Sequence, residues 1–90
     1  MNLFEARALT AMPRFHFDVC ENGVITPDDE GLDLLSTQAA RLEAARAATE
    51  MMKDRAARKA DPADVSIAVR DGSLEPVCVV TVALKIAGDC

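Results

Sequence analysis

Tryptophan and tyrosine are absent from this chain, and its three phenylalanines are Phe4, Phe15 and Phe17. Aromatic platforms on which bases could stack are therefore nearly lacking. Basic charge is scarce as well. Ten Lys and Arg stand against 15 Asp and Glu, for a net charge of −5. A nucleic-acid binder carries a basic footprint to neutralise phosphates. Here the basic residues alternate with acids or gather at the end of one helix, so no nucleic-acid partner is expected. No stretch approaches the ~18 consecutive apolar residues of a membrane span. The opening Met1-Asn2-Leu3-Phe4-Glu5-Ala6-Arg7 has no basic leading segment, and Glu5 and Arg7 interrupt it. It does not read as a secretory signal. No membrane partner is expected.

Cysteine is sparse and unpatterned. Cys20, Cys78 and Cys90 are odd in number and show no C-x-x-C spacing. This speaks against a disulfide framework and against a zinc site, and for reduced thiols in a cytoplasm. The four glycines, Gly23, Gly31, Gly72 and Gly88, are too scattered for a phosphate-binding loop or a dinucleotide fingerprint. A nucleophile elbow and an H-E-x-x-H pair are also missing. No cofactor and no metal follow from any of these patterns, and the expectation is a protein that is not an enzyme.

What remains is ordinary globular composition, 50% apolar and 28% charged over 90 residues. That is enough for one domain with a modest core. The chain is organised around an alanine-rich helix from about Ser36 to Lys59. Ser36 is the expected N-cap, with Asp33 just upstream. Ala40, Ala44, Ala47 and Met51, together with Ala48 and Met52, recur at helical spacing and form an inner face of small residues. Small residues let the helix axis approach a sheet closely, so the bulk should come from Phe15, Phe17, Ile25 and Ile67. The opposite face carries Arg46, Glu50 and Lys53, with Arg46 and Glu50 as one weak ion pair. Lys53, Arg55, Arg58 and Lys59 suit the negative end of the helix dipole. Asp61-Pro62 should stop the helix.

Strands flank it on both sides. Arg14–Cys20 alternates strictly, with Phe15, Phe17 and Val19 on one side and Arg14, His16, Asp18 and Cys20 on the other. Glu21-Asn22-Gly23 signals a hairpin. A two-residue loop would pair Val19 with Thr26. A three-residue loop pairs Val19 with Ile25, keeps the apolar residues on one face and is preferred here. Pro27 ends the second strand. At least one of Leu32, Leu34 and Leu35 should tuck under the first helical turn. After the helix, Val65, Ile67 and Val69 mark a third strand. Asp71-Gly72 is a two-residue hairpin signal, and the fourth strand runs from about Glu75 to Leu84. That hairpin pairs Val69 with Leu74 and turns Leu74, Cys78, Val80, Val82 and Leu84 to the helix. A longer loop would turn Val77, Val79 and Thr81 inward instead. In the preferred register Val77, Val79 and Thr81 face away from the helix. The strand is apolar on both faces, so its outer face calls for a cover: residues 1–11, a second copy of the chain, or another protein.

Candidate sites are few. His16 is the single histidine, flanked on its face by Arg14 and Asp18. It would serve as a general base or a pH-sensitive contact, or else as a surface strand residue. Asp28, Asp29, Glu30 and Asp33 could collect a divalent cation. They do not match the spaced acidic loop of a calcium site, and a solvated turn before a helix accounts for them. Cys20 and Cys78 are placed neither at a helix N-terminus nor beside a cation, as a reactive thiol requires.

Met12-Pro13-Arg14-Phe15-His16-Phe17-Asp18-Val19, the Asp29-Glu30-Gly31 before the helix, the Ala/Arg/Glu-rich helix itself and Val65–Asp71 together resemble a family of small bacterial proteins. It is catalogued as domain of unknown function 6894. The resemblance covers about residues 12–84 and brings no activity or site residue with it. The family pattern usually begins at Met12, which suggests that residues 1–11 are an extension, frayed or added by an upstream start. Residues 85–90 read as a tail. A fainter likeness in element order, to the β-β-α-β half of HicB-type antitoxins, suggests a binder of a partner protein. It is analogy at the level of fold.

The expected fold is α+β: ββαββ, a four-stranded, mainly antiparallel sheet with one long helix on one face. The expected function is a small interaction module, homodimeric through the outer face of the sheet, with Val77, Val79, Thr81, Arg14 and His16 as its surface. An antitoxin-like binder, or a ligand-binding or enzymatic domain around Arg14, His16 and Asp18, are the alternatives.

Overall fold

The computed structural model describes residues 12–58, 64–85 and 87–88. The N-terminal extension, the Asp61-Pro62 helix stop and Cys90 lie outside the described residues. The chain folds as β1 (Arg14–Glu21), β2 (Val24–Thr26), β3 (Leu32–Asp33), α1 (Thr37–Ala57), β4 (Asp64–Arg70) and β5 (Cys78–Ala83). This is the expected α+β architecture with one addition, the two-residue β3. Every pairing is antiparallel, and the strand order is β2-β1-β4-β5, with β3 also on β1. Among the described residues, no helix is long and apolar enough to cross a membrane.

Strand β1 is the spine. β4 lies along one of its edges from His16↔Arg70 to Glu21↔Val65. β2 and β3 flank its other edge, at Val19↔Thr26 and Phe15↔Leu32. From Thr26 to Leu32 the outer chain takes six steps while β1 takes four from Val19 to Phe15. Two extra residues therefore bow out between β2 and β3, in the segment that opens with Pro27.

The first hairpin corrects the expected register. Cys20 pairs with Ile25 and Glu21 with Val24, which leaves a two-residue Asn22-Gly23 turn rather than a three-residue loop. Both turn residues have positive φ, 54° and 77°. That is the primed-turn geometry whose twist matches the flanking strands. Turn chemistry thus outweighs apolar patterning. Ile25 moves to the face away from the helix and stays 66% exposed.

Helix α1 begins where expected. The Ser36 side chain accepts a hydrogen bond from the Ala39 N–H at 3.1 Å. Its buried residues Ala40, Ala44, Ala48 and Met52 are spaced by four. With Phe15, Val65, Ile67 and Val69 they form the core, and Ala47, Met51, Phe17 and Leu34 pack around it. Leu34 is therefore the leucine under the first turn, while Leu35 remains 78% exposed. The helix ends at Ala57, two residues before Lys59. Arg46 pairs with Glu43, not Glu50. Arg58 pairs with Asp54 one turn back. Arg55 reaches across to Glu21 at 3.1 Å, tying the last turns of the helix to the end of β1.

The second hairpin is longer than expected. Val69 pairs with Cys78 and Val65 with Val82, so residues 71–77 form the connection. The cause is local. The Asp71 carboxylate accepts from the Ser73 N–H and from its hydroxyl, and that hydroxyl also approaches the Glu75 carbonyl. This side-chain turn replaces the simple Asp-Gly hairpin. The shift is even, so the facing survives. Cys78, Val80, Val82 and Leu84 pack toward the core, but Leu74 stands in the loop, fully exposed.

Candidate interaction surface

One face of the sheet carries the helix. Among the described residues, nothing lies over the other. The register builds that open face in rows. Ile25, Cys20, Ser66 and Thr81 stand side by side across the four strands. Asp18, Ala68 and Val79 form the next row, followed by His16 beside Arg70. The Ser66 and Thr81 hydroxyls hydrogen-bond to each other at 2.9 Å. Val79 is 57% exposed. The face is thus mostly small and apolar toward β5 and charged toward the start of β1.

The charged end is a closed network centred on Asp28. Its carboxylate accepts from three backbone N–H groups, those of Phe17 at 3.0 Å, Glu30 at 3.1 Å and Gly31 at 3.2 Å. Its own N–H donates to Asp18 Oδ1 at 2.9 Å, and its carbonyl lies 2.9 Å from His16 Nδ1. That Nδ1 must carry the proton, because a carbonyl only accepts. Arg70 closes the ring, donating from Nε and Nη2 to the two oxygens of Asp18 at 2.5 and 3.1 Å. Arg14 makes the corresponding two contacts to Asp33, at 2.9 and 3.2 Å. These bonds hold the bowed segment between β2 and β3 against β1, where a regular ladder is missing.

Electrostatics follow from the geometry. The Arg70 guanidinium holds the Asp18 carboxyl below the usual carboxylate range, against the opposing effect of burial. For Asp28, burial alone would push the carboxyl up, but the three N–H donors outweigh it and the net shift is downward. Arg14 lowers Asp33 in the same way. Gly31 closes the turn at a φ of +77°, and a Cβ there would meet Arg14 Cγ at 2.7 Å and both His16 Cε1 and the Phe15 carbonyl at 2.9 Å. Only glycine fits that approach without displacing its neighbours.

The sequence-predicted site residues therefore separate. Val79 and Thr81 stand on the open face. Val77 does not. It precedes β5, donates its N–H to the Val69 carbonyl at 2.7 Å and packs against the core. Arg14 and His16 belong to the polar network, with their hydrogen bonds made inside the chain. Of the acids considered as a cation site, Asp28 and Asp33 are committed to N–H and guanidinium donors. Among the described residues, no group of three or more His, Cys, Asp or Glu side chains is placed to hold a metal ion.

Sequence reasoning missed Arg70 and read Asp28 only as one of a group of acids. The two meet Asp18 from 52 and 10 residues away, and only the strand pairing joins them. Cys78 lines a shallow cleft of about 400 Å³ together with Thr37, Gln38, Arg41 and Val77.

The model of a family described as Domain of unknown function (DUF6894) matches residues 14–83. No curated protein and no solved structure matches the chain.

Proposed function

We propose, for a chain that belongs to the DUF6894 family and takes no assigned activity from it, that it is a small, non-catalytic interaction module. Its working surface is the open side of the sheet, and its first partner is a second copy of the chain. The observation that carries this reading is the exposure of Val79 among Ala68, Thr81 and Ala83, on a face without a described covering layer. Other exposed large apolar residues, such as Leu35, Leu42 and Leu74, lie before the helix, on the helix and in the second connection. Scattered apolar residues are ordinary on a protein surface, whereas a contiguous group on a sheet is not. The polar network does not compete for the role, because its members already satisfy one another.

Photo-cross-linking tests the reading. A photoreactive side chain placed at Val79 or Thr81 is expected to give a product of twice the chain's mass in purified protein. The same group at Leu42, equally exposed but on the helix, is expected to give none. Products from Leu42 alone, or from no position, contradict the proposal. Products of another mass, formed in the native cell, would move the partner from a second copy to a different protein.

A further inference from the structure

Among the described arginines, Arg14, Arg46, Arg55, Arg58 and Arg70 each pair with a carboxylate, and Arg41 does not. Arg41 stands in the second turn of α1 and helps to line the cleft of about 400 Å³ with Thr37, Gln38, Val77 and Cys78. That lining comes from α1 and from the entry to β5, with nothing from β1 or β4. The cleft therefore sits at the β5 side of the sheet and not over its middle. No acidic residue lines it, and none stands in the first turn of the helix. The cleft is a local positive site in a chain of net charge −5. The strand beside it is open to pairing. Among the described residues β5 pairs only with β4. Cys78–Ala83 carries no charge, no proline and no glycine, and its valines and Thr81 are the β-branched residues that suit a sheet. Charge and proline are devices that stop an edge from pairing, and this run has neither.

We infer that the β5 edge takes an extended segment of another protein as an added strand, and that the cleft receives an acidic side chain of that segment. This goes beyond the open-side dimer. The edge and the open face are separate surfaces, and a strand added at the edge leaves the face free. In strand addition, main-chain hydrogen bonds supply affinity and pockets for alternate side chains supply selectivity. Every second side chain of the added strand points to the helix side of the sheet, which is where the cleft lies. A carboxylate there meets the guanidinium of Arg41 in a charge-assisted hydrogen bond. A second β5 does not fit this description, because its six residues offer Arg41 no acid. Charge complementarity thus selects a partner segment of different sequence, uncharged along the strand and acidic where it reaches the first turns of α1.

Titration of the full chain with labelled synthetic peptides, followed by fluorescence anisotropy, tests the inference. The peptides are of about strand length, alternate valine and threonine, and carry one aspartate that is moved through each position in turn. Affinity is expected to peak where the aspartate reaches the cleft, and to fall roughly fivefold when asparagine replaces it there. Arg41→Glu, at an exposed position that leaves the fold intact by circular dichroism, is expected to shift the preference to lysine at that place. N-methylation of the alternate amides that face β5 is expected to abolish binding, and N-methylation of the other set to be tolerated. Equal affinity for every aspartate position, indifference to Arg41→Glu, equal binding by both N-methylated sets, or no binding by any peptide overturns the inference. Sedimentation with saturating aspartate peptide separates this site from the dimer. A dimer that carries peptide is expected, whereas a dimer that the peptide dissociates would return the edge to a second copy and overturn the inference. A chain that binds the peptide as a monomer upholds the edge site and removes the open-side dimer.

Discussion

Asp28 shows how much one residue can hold in place. One carboxylate oxygen accepts the Phe17 N–H where β1 lacks a ladder partner between β2 and β3, the other accepts from Glu30 and Gly31, and its backbone joins Asp18 and His16. Stability should therefore depend on acid in a defined way. The Asp18 and Asp28 carboxyls sit below their ordinary values in the folded chain. The unfolded chain then binds more protons through that range. Their contribution is complete above the unfolded value of about 4 and is lost as pH falls through the lower folded values. Urea titrations from pH 7 to pH 2 are expected to show a stability that drops below about pH 4. Asp18→Asn is expected to lower stability at pH 7 by about 1–2 kcal/mol, since Arg70 loses a charged partner that is only partly shielded from water. It should also flatten the acid limb. An unchanged limb would mean that the Asp18 carboxyl is not part of what titrates. This network was not legible in the sequence. Its members could be read as acids, a histidine and an arginine, but their meeting depends on pairings between distant segments.

At the scale of elements, the helix and the strands could be read from periodicity because burial imposes it. Ala40, Ala44, Ala48 and Met52 recur by four because one face of α1 meets the sheet, and Val65, Ile67 and Val69 by two because one face of β4 meets the helix. Loops obey local chemistry instead. Asn22 and Gly23 take positive φ and form the tighter turn against the apolar pattern, and Asp71 folds the second connection around Ser73. The small inner face of α1 has its own consequence. Ala44 is fully buried, so Ala44→Leu must push the helix off the sheet. Chemical denaturation is expected to show a loss of about 2–3 kcal/mol. A comparable change at exposed Thr49 should stay within about 0.5 kcal/mol. A neutral Ala44→Leu would show that the helix does not sit as closely as the buried alanines require.

For the whole molecule, the division is between a helix whose small face is used up in the core and a sheet whose other face is open. Lys53, Asp54, Arg46 and Glu43 keep the outer side of α1 charged and solvated. The uncharged, β-branched run of the chain stands at the opposite extreme of the sheet, in β5. The most direct measurement is a dilution series of two-dimensional amide NMR spectra on the full chain. The expected result is that concentration-dependent shifts fall on the amides of Cys78–Ala83 and on Ser66 and Ala68 beside them, while those of Arg46, Glu50 and Lys53 on the helix stay still. Shifts confined to the helix, or spectra that do not change with concentration, would contradict the claim that the open side of the sheet is where this protein meets its partner.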